Sequence, residues 1–253
     1  MTVLRSSEGA AAFDDDDAAS ASERDARTSR RAILKADVAR FAVAYVMLTA
    51  VFWAVGRLIL ASSWITDADQ RIAERFAARR TPGWNTVSYL GSQAADTAVK
   101  IVVTTVVCLV LYWMWRRSRE PLMLVVPLVL EASVFITVTL LVGRPRPNVE
   151  RLESSPVNSS FPSGHVAAAT VYGALVIVVF RHTRNVWART TVLIGCAVLP
   201  VLVGWARMYR GMHHLSDVIA GVALGIASLS CAYVIVRRHE EATSGQRTSE
   251  GQP

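Results

Sequence analysis

Gly143-Arg144-Pro145-Arg146-Pro147, followed by Phe161-Pro162-Ser163-Gly164-His165, forms one polar cluster, and Arg207-Met208-Tyr209-Arg210-Gly211-Met212-His213-His214-Leu215-Ser216-Asp217 forms a second. What separates them decides the fold. Between the clusters lie two segments, roughly 166–180 and 190–206, each apolar enough to cross a bilayer. Two crossings return the chain to the side it left. Both clusters therefore face the same side of a membrane, and arginines, histidines, a serine and a carboxylate meet there.

Outward from this stretch the same pattern repeats. The chain has 253 residues, 52% of them hydrophobic, and the apolar residues are gathered into long runs rather than spread at amphipathic spacing. A span needs about 20 mostly apolar residues to cross a hydrocarbon core of about 30 Å. Six segments qualify, near 39–61, 97–115, 121–142, 165–181, 190–207 and 215–236. The fold class expected is all-α, a six-transmembrane-helix bundle. Between the first and second spans, Asp67 to Asp96 interleaves Ile72, Phe76 and Trp84 with Arg71, Glu74, Arg75, Arg79 and Arg80. That reads as a short amphipathic interfacial helix followed by a Pro82-Gly83 turn.

The net charge of +7 is not a nucleic-acid footprint. Of the 27 basic residues only Lys35 and Lys100 are lysine, and most of the arginines cluster at span ends. Arg24 to Arg40, the Arg116–Arg119 group, the Arg181–Arg189 group and Arg237-Arg238 all fall on one side when six spans are counted. Such an excess marks the cytoplasmic side. The expectation is a multi-pass protein of the cell membrane with both termini cytoplasmic and the two polar clusters extracytoplasmic. Residues 1–38, with Asp14 to Asp17 and then an Arg-rich run, read as a disordered cytoplasmic tail. Residues 39–237 form the six-span domain and 238–253 a C-terminal cytoplasmic tail. With no apolar region before residue 41, the N-terminus does not read as a cleavable signal peptide. Cys108, Cys196 and Cys231 each sit inside a span and read as packing residues.

Two ionisable residues lie inside spans, where charge is costly and function is the default hypothesis. Lys100 is four residues after Asp96, so a plain i,i+4 pair at the interface competes with a functional role. Glu131, mid-span, reads as a structural hydrogen-bonding residue facing the bundle.

The polar clusters have the chemistry of a phosphate site. Arginine stays charged and binds phosphate bidentately. A helix opening at Ser163-Gly164-His165 directs unpartnered backbone N–H groups at an anion. A neutral imidazole can attack phosphorus while a second, protonated histidine donates to the leaving oxygen. His213 and Asp217 are four apart, so on a helix the carboxylate would orient the ring, and His165 would be the acid.

Arg146-Pro147, Pro162-Ser163-Gly164-His165 and Arg207 with His213 and Asp217 resemble the type 2 phosphatidic acid phosphatase superfamily. Its pattern is Lys-x6-Arg-Pro, Pro-Ser-Gly-His and Ser-Arg-x5-His-x3-Asp. The resemblance covers roughly 40–237 and implies a lipid phosphatase with no cofactor and no metal. It implies His213 as nucleophile through a phosphohistidine, Asp217 orienting it, and His165 as general acid. Arg146, Ser163, Gly164 and Arg207 would hold the phosphoryl oxygens. The implied partners are the bilayer and a lipid phosphate such as polyprenyl diphosphate (undecaprenyl diphosphate in bacteria), phosphatidate or phosphatidylglycerophosphate. Two positions depart from the pattern: Thr139 stands where the family has lysine, and Ala206 where it has serine. Arg144 and Lys100 are the candidates for the missing cation. Two other readings compete: zinc held by His165, His213 and Asp217, which the neighbouring arginines disfavour, and a catalytically impaired lipid-phosphate binder or transporter.

Overall fold

The computed structural model describes residues 7–93, 96–116, 119–154 and 157–250. They form helices α1 (Ser7–Ala61), α2 (Ser63–Ala78), α3 (Pro82–Gln93), α4 (Thr97–Trp115), α5 (Arg119–Val142), α6 (Gly164–Val171), α7 (Ala174–His182), α8 (Val186–Tyr209) and α9 (Leu215–Glu250). Six helical stretches are long and apolar enough to cross a membrane: Arg27–Ala61, Ala98–Trp115, Arg119–Val142, Gly164–His182, Val186–Tyr209 and Leu215–Gly245. Each coincides with an expected span, and the fold is all-helical among the described residues. The protein is a multi-pass membrane protein.

The chain divides into two compact units, one of residues 1–40 with 237–253 and the other Phe41–Val236. In the first, where 1–38 was expected as a tail, α1 runs from Ser7 onward. Alanine and arginine, both strong helix formers, are abundant there. Residues 1–6 of that tail and 251–253 of the C-terminal one lie outside the described residues.

The second unit holds the bundle. Leu58 of α1, Val102 and Leu109 of α4, Leu140 of α5 and Leu202 of α8 are exposed, as suits helices facing lipid. Hydrocarbon is as apolar as leucine, so association between such helices depends on close packing and interhelical polar contacts rather than on apolar burial. Gly221 and Gly225 of α9 supply the closest approach. A Cβ at Gly221 would lie 2.6 Å from the Ser163 carbonyl oxygen, and one at Gly225 would lie 2.6 Å from that of Ala167. This small-xxx-small stripe sets the opening of α6 against the opening of α9. The fourth span breaks at Tyr172-Gly173 between α6 and α7; there the Tyr172 carbonyl accepts from Cys196 Sγ at 3.3 Å and its hydroxyl meets Thr104 at 2.9 Å.

Between the first two spans the chain makes two helices where one was expected. Pro82, instead of closing a helix, occupies the first position of α3, where its missing N–H costs nothing. Helix α3 packs on α8, and Gly91 permits it: a Cβ there would meet that of Ala206 at 3.2 Å.

Candidate active site

Both polar clusters come together at one end of the bundle. The N–H of Ser163 donates to the Asp217 carbonyl at 3.0 Å, and Arg146 Nη1 donates to the Met212 carbonyl at 2.5 Å. A cavity of about 430 Å³ lies between them, lined among others by Lys100, Arg146, Gly164, His165, Arg207 and His213.

The ring of His213 is held by an unexpected partner. Its Nδ1 lies 2.7 Å from the Ser160 carbonyl oxygen. A carbonyl only accepts, so Nδ1 carries the proton and the neutral ring keeps its lone pair on Nε2. Burial, then the nearby Arg207 and Arg146 and the His165 ring, hold the His213 pKa well below the usual imidazole range. The result is a neutral imidazole with a defined nucleophilic nitrogen among cations.

Asp217 was expected to orient that ring, but its Oδ2 is 3.9 Å from His213 Nδ1. The i,i+4 argument fails because α9 begins only at Leu215, leaving residues 213 and 214 outside the helix. Asp217 instead accepts from the His214 N–H at 2.8 Å. That is the reciprocal half of a capping box, and it fixes the turn that carries His213. Its other oxygen accepts from Arg144 Nη1 at 2.5 Å.

Arg144 is therefore committed elsewhere. It is buried, donates to Asp69 at 2.8 Å and to Ser216 Oγ at 2.6 Å, and is not on the cavity wall. Burial raises the Asp69 pKa, but hydrogen bonds from Arg144 and Ser216 outweigh it and hold the carboxyl below its ordinary value. Arg144 ties α2 to the opening of α9. This corrects its candidacy as a substrate cation.

Lys100 fares differently. No carboxylate lies within ion-pair distance of it among the described residues, so the i,i+4 pair with Asp96, one of its two competing readings, is not formed; Asp96 caps α4 through the Ala98 N–H at 2.9 Å. Both residues line the cavity, as does Glu131, whose buried Oε2 has no hydrogen-bond partner. Thr139 is buried in the core, its hydroxyl donating to the Phe161 carbonyl at 3.3 Å.

Of the phosphate-binding candidates, Gly164, Arg146 and Arg207 reach the cavity, and Ser163 does not line it. The Ser163 N–H is used by Asp217, while its hydroxyl is buried and without a partner. Arg146 is anchored on carbonyls of Met212 and Val157. Burial, then Arg207 and Arg151, lower its pKa to about 10, so it stays cationic.

Residues missed by sequence reasoning complete the wall. Ser159 presents a buried, unpartnered hydroxyl. Ser92 of α3 accepts from Arg207 Nη1 at 2.7 Å. Glu153, from a loop with no chemical pattern of its own, ion-pairs with Arg207 and accepts from Arg210 Nε at 2.7 Å. Burial raises its pKa, but Arg207 and Arg210 outweigh that and hold it below the usual carboxylate range. An anionic side chain thus occupies the arginine that the motif assigns to phosphate. His214, set aside at the sequence level, donates from Nε2 to the Pro145 carbonyl at 3.3 Å and takes no part in the cavity.

Comparison with known proteins places this geometry. The family model of the PAP2 superfamily matches residues 122–241. The "Bacitracin transport permease protein BcrC" of Bacillus licheniformis is 29% identical over 133 residues, which is 47% of this chain and 59% of that one. The "Putative undecaprenyl-diphosphatase YbjG" of Escherichia coli K12 is 24% identical over 151 residues, 57% of this chain and 72% of that one. A crystal structure described as the first transmembrane PAP2 type phosphatidylglycerolphosphate phosphatase, from Bacillus subtilis, superposes with a TM-score of 0.68 at 21% identity. It covers 77% of this chain and 96% of that one. The matched segment carries all three polar motifs, so this part of the chain is similar to the PAP2 superfamily, and the solved structure shares the fold.

Proposed function

We propose that this protein hydrolyses a lipid phosphate or diphosphate without a metal, through a phosphohistidine on His213, at the extracytoplasmic face of the cell membrane. The observation that carries this reading is the His213 ring, its Nδ1 bound to the Ser160 carbonyl, in a cavity shared with His165, Arg146 and Arg207. The lone pair on Nε2 attacks phosphorus, a P–N bond forms as the P–O bond to the leaving group breaks, and His165 delivers a proton to the departing oxygen. Water, deprotonated by His165, then cleaves the P–N bond. Arg146 and Arg207 carry the charge on the equatorial oxygens, a task for which no metal is needed. The arginine excess at the opposite ends of the spans supports the extracytoplasmic assignment.

Lys100 supplies the cation that Thr139 lacks. Its place on the cavity wall suits a second phosphate, and together with the name of the Escherichia coli relative this favours polyprenyl diphosphate. Lys100→Ala lowers turnover about 100- to 1000-fold, comparable to loss of one transition-state donor, and lowers it more for a diphosphate than for phosphatidate. Equal losses on both lipids would remove the diphosphate assignment.

Glu153 competes with substrate for Arg207. Glu153→Gln keeps the hydrogen-bonding shape but removes the charge, so orthovanadate inhibits about tenfold more tightly, a change of roughly 1.4 kcal/mol. Weaker inhibition would instead make Glu153 a positioning residue for Arg207.

The defining experiment measures phosphate release by purified protein in detergent with excess EDTA, offering polyprenyl diphosphate and phosphatidate side by side. Release undiminished by the chelator, and faster on the diphosphate, is expected. A folded protein that turns over neither lipid would favour the impaired binder, with Thr139 the cause. Loss of release on chelation would favour the zinc reading.

A further inference from the structure

A second cavity, of about 490 Å³, lies apart from the catalytic wall and is lined by Ile72, Arg75, Phe76, Arg79, Trp84, Trp205 and Tyr209. None of these residues lines the cavity around His213. We propose that this groove binds an anionic diacyl phospholipid of the surrounding leaflet, its phosphate on Arg75 and Arg79 and its chain against the aromatic floor.

Four observations carry it. Arg75, in the last turn of α2, and Arg79, its C-cap, are both exposed and make no ion pair among the described residues. Glu74, the acidic side chain adjacent on the helix, is engaged by Gln70 at 3.0 Å. The groove thus presents two guanidinium groups with no internal anion, unlike Arg207 and Arg210, which share Glu153. The floor is built rather than incidental: Trp84 meets Trp205 edge-on at 5.3 Å, and Trp205 packs against Tyr209 in a tilted pair at 5.2 Å. The depth is right as well. Trp205 and Tyr209 belong to the last turns of a membrane-crossing helix, and α2 follows the first span directly. Tryptophan and tyrosine concentrate at that headgroup level, and an amphipathic helix with arginine on its polar face lies there. A zwitterionic lipid satisfies the apolar floor equally well; the two uncompensated cations select an anionic one.

The test is lipid retention by the full chain in native mass spectrometry, with orthovanadate present to occupy the catalytic cavity. Phosphatidylglycerol and phosphatidylcholine of matched chains compete. Wild type retains phosphatidylglycerol about tenfold in excess, and Arg75→Gln/Arg79→Gln abolishes the preference while phosphate release in detergent is unchanged. Both positions are exposed, so a folding defect is not expected; raising the salt concentration on wild type gives the same loss of preference without any substitution. An anionic preference that survives the double substitution, its absence in wild type, or a dimer that excludes lipid from the groove would each overturn the proposal.

Discussion

His213→Gln lowers phosphate release by about three orders of magnitude or more, as expected for loss of a covalent nucleophile. Glutamine keeps a side-chain amide able to donate to the Ser160 carbonyl, so the buried acceptor is not orphaned and the loss reports on chemistry rather than folding. The companion variant separates the two histidines. With an activated aryl phosphate, whose leaving group needs no proton, His165→Ala still forms the P–N bond but cannot activate water. An acid-labile, base-stable phosphoenzyme then accumulates. If His165→Ala accumulates none and His213→Gln retains turnover, the nucleophile is not His213. The pH profile follows from the same environment. Burial and the adjacent arginines disfavour protonation of His213, so the nucleophile stays neutral well below the ordinary histidine pKa of about 6.5. A fall in activity on the acid side near pH 6 therefore does not come from this ring.

The six spans were legible because each is a long apolar run bounded by charge or proline, and a bilayer allows such a run few alternatives. The meeting of the two polar clusters was legible for the same reason: an even number of crossings separates them. The contacts within the site were not. Reading His213 and Asp217 as neighbours on one helical face assumed that α9 started two residues early, and the turn at Gly211 (φ +72°) ends that assumption. Sequence spacing also says nothing of what a loop brings back over a site. Glu153 and Ser159 come from a stretch with no periodicity, and only the folded path from Pro147 to Phe161 sets them on the cavity wall. Ser92 is a similar case. Ala206 removes the motif hydroxyl from α8, and the close approach of α3 at Gly91 places another hydroxyl on Arg207.

Arg144→Met destabilises the protein by about 3–5 kcal/mol, the usual cost of removing one partner from a buried ionic group, and lowers the melting temperature by on the order of 10 °C. The side chain is 2% exposed and holds two carboxylates, Asp69 and Asp217, that are nearly or fully buried. Methionine fills similar space but leaves both without their cation. Asp69 has further donors in the N–H and hydroxyl of Ser216, at 3.1 and 2.5 Å, and Asp217 has the His214 N–H; neither donor neutralises the charge. In Arg144→Met/Asp69→Asn one of the two stranded charges is gone, so the double variant is more stable than Arg144→Met alone. That non-additivity identifies the pair as coupled. Acid acts in the same direction as losing the arginine. Because the Asp69 pKa is lowered in the fold, its contribution is complete above the unfolded value of about 3.9 and is lost as pH falls through the folded one. A substrate-binding arginine behaves oppositely, raising KM when removed while the melting temperature holds. Thermal unfolding of Arg144→Met followed beside its KM therefore distinguishes the two roles, and an unchanged melting temperature with a raised KM would return Arg144 to the phosphate site.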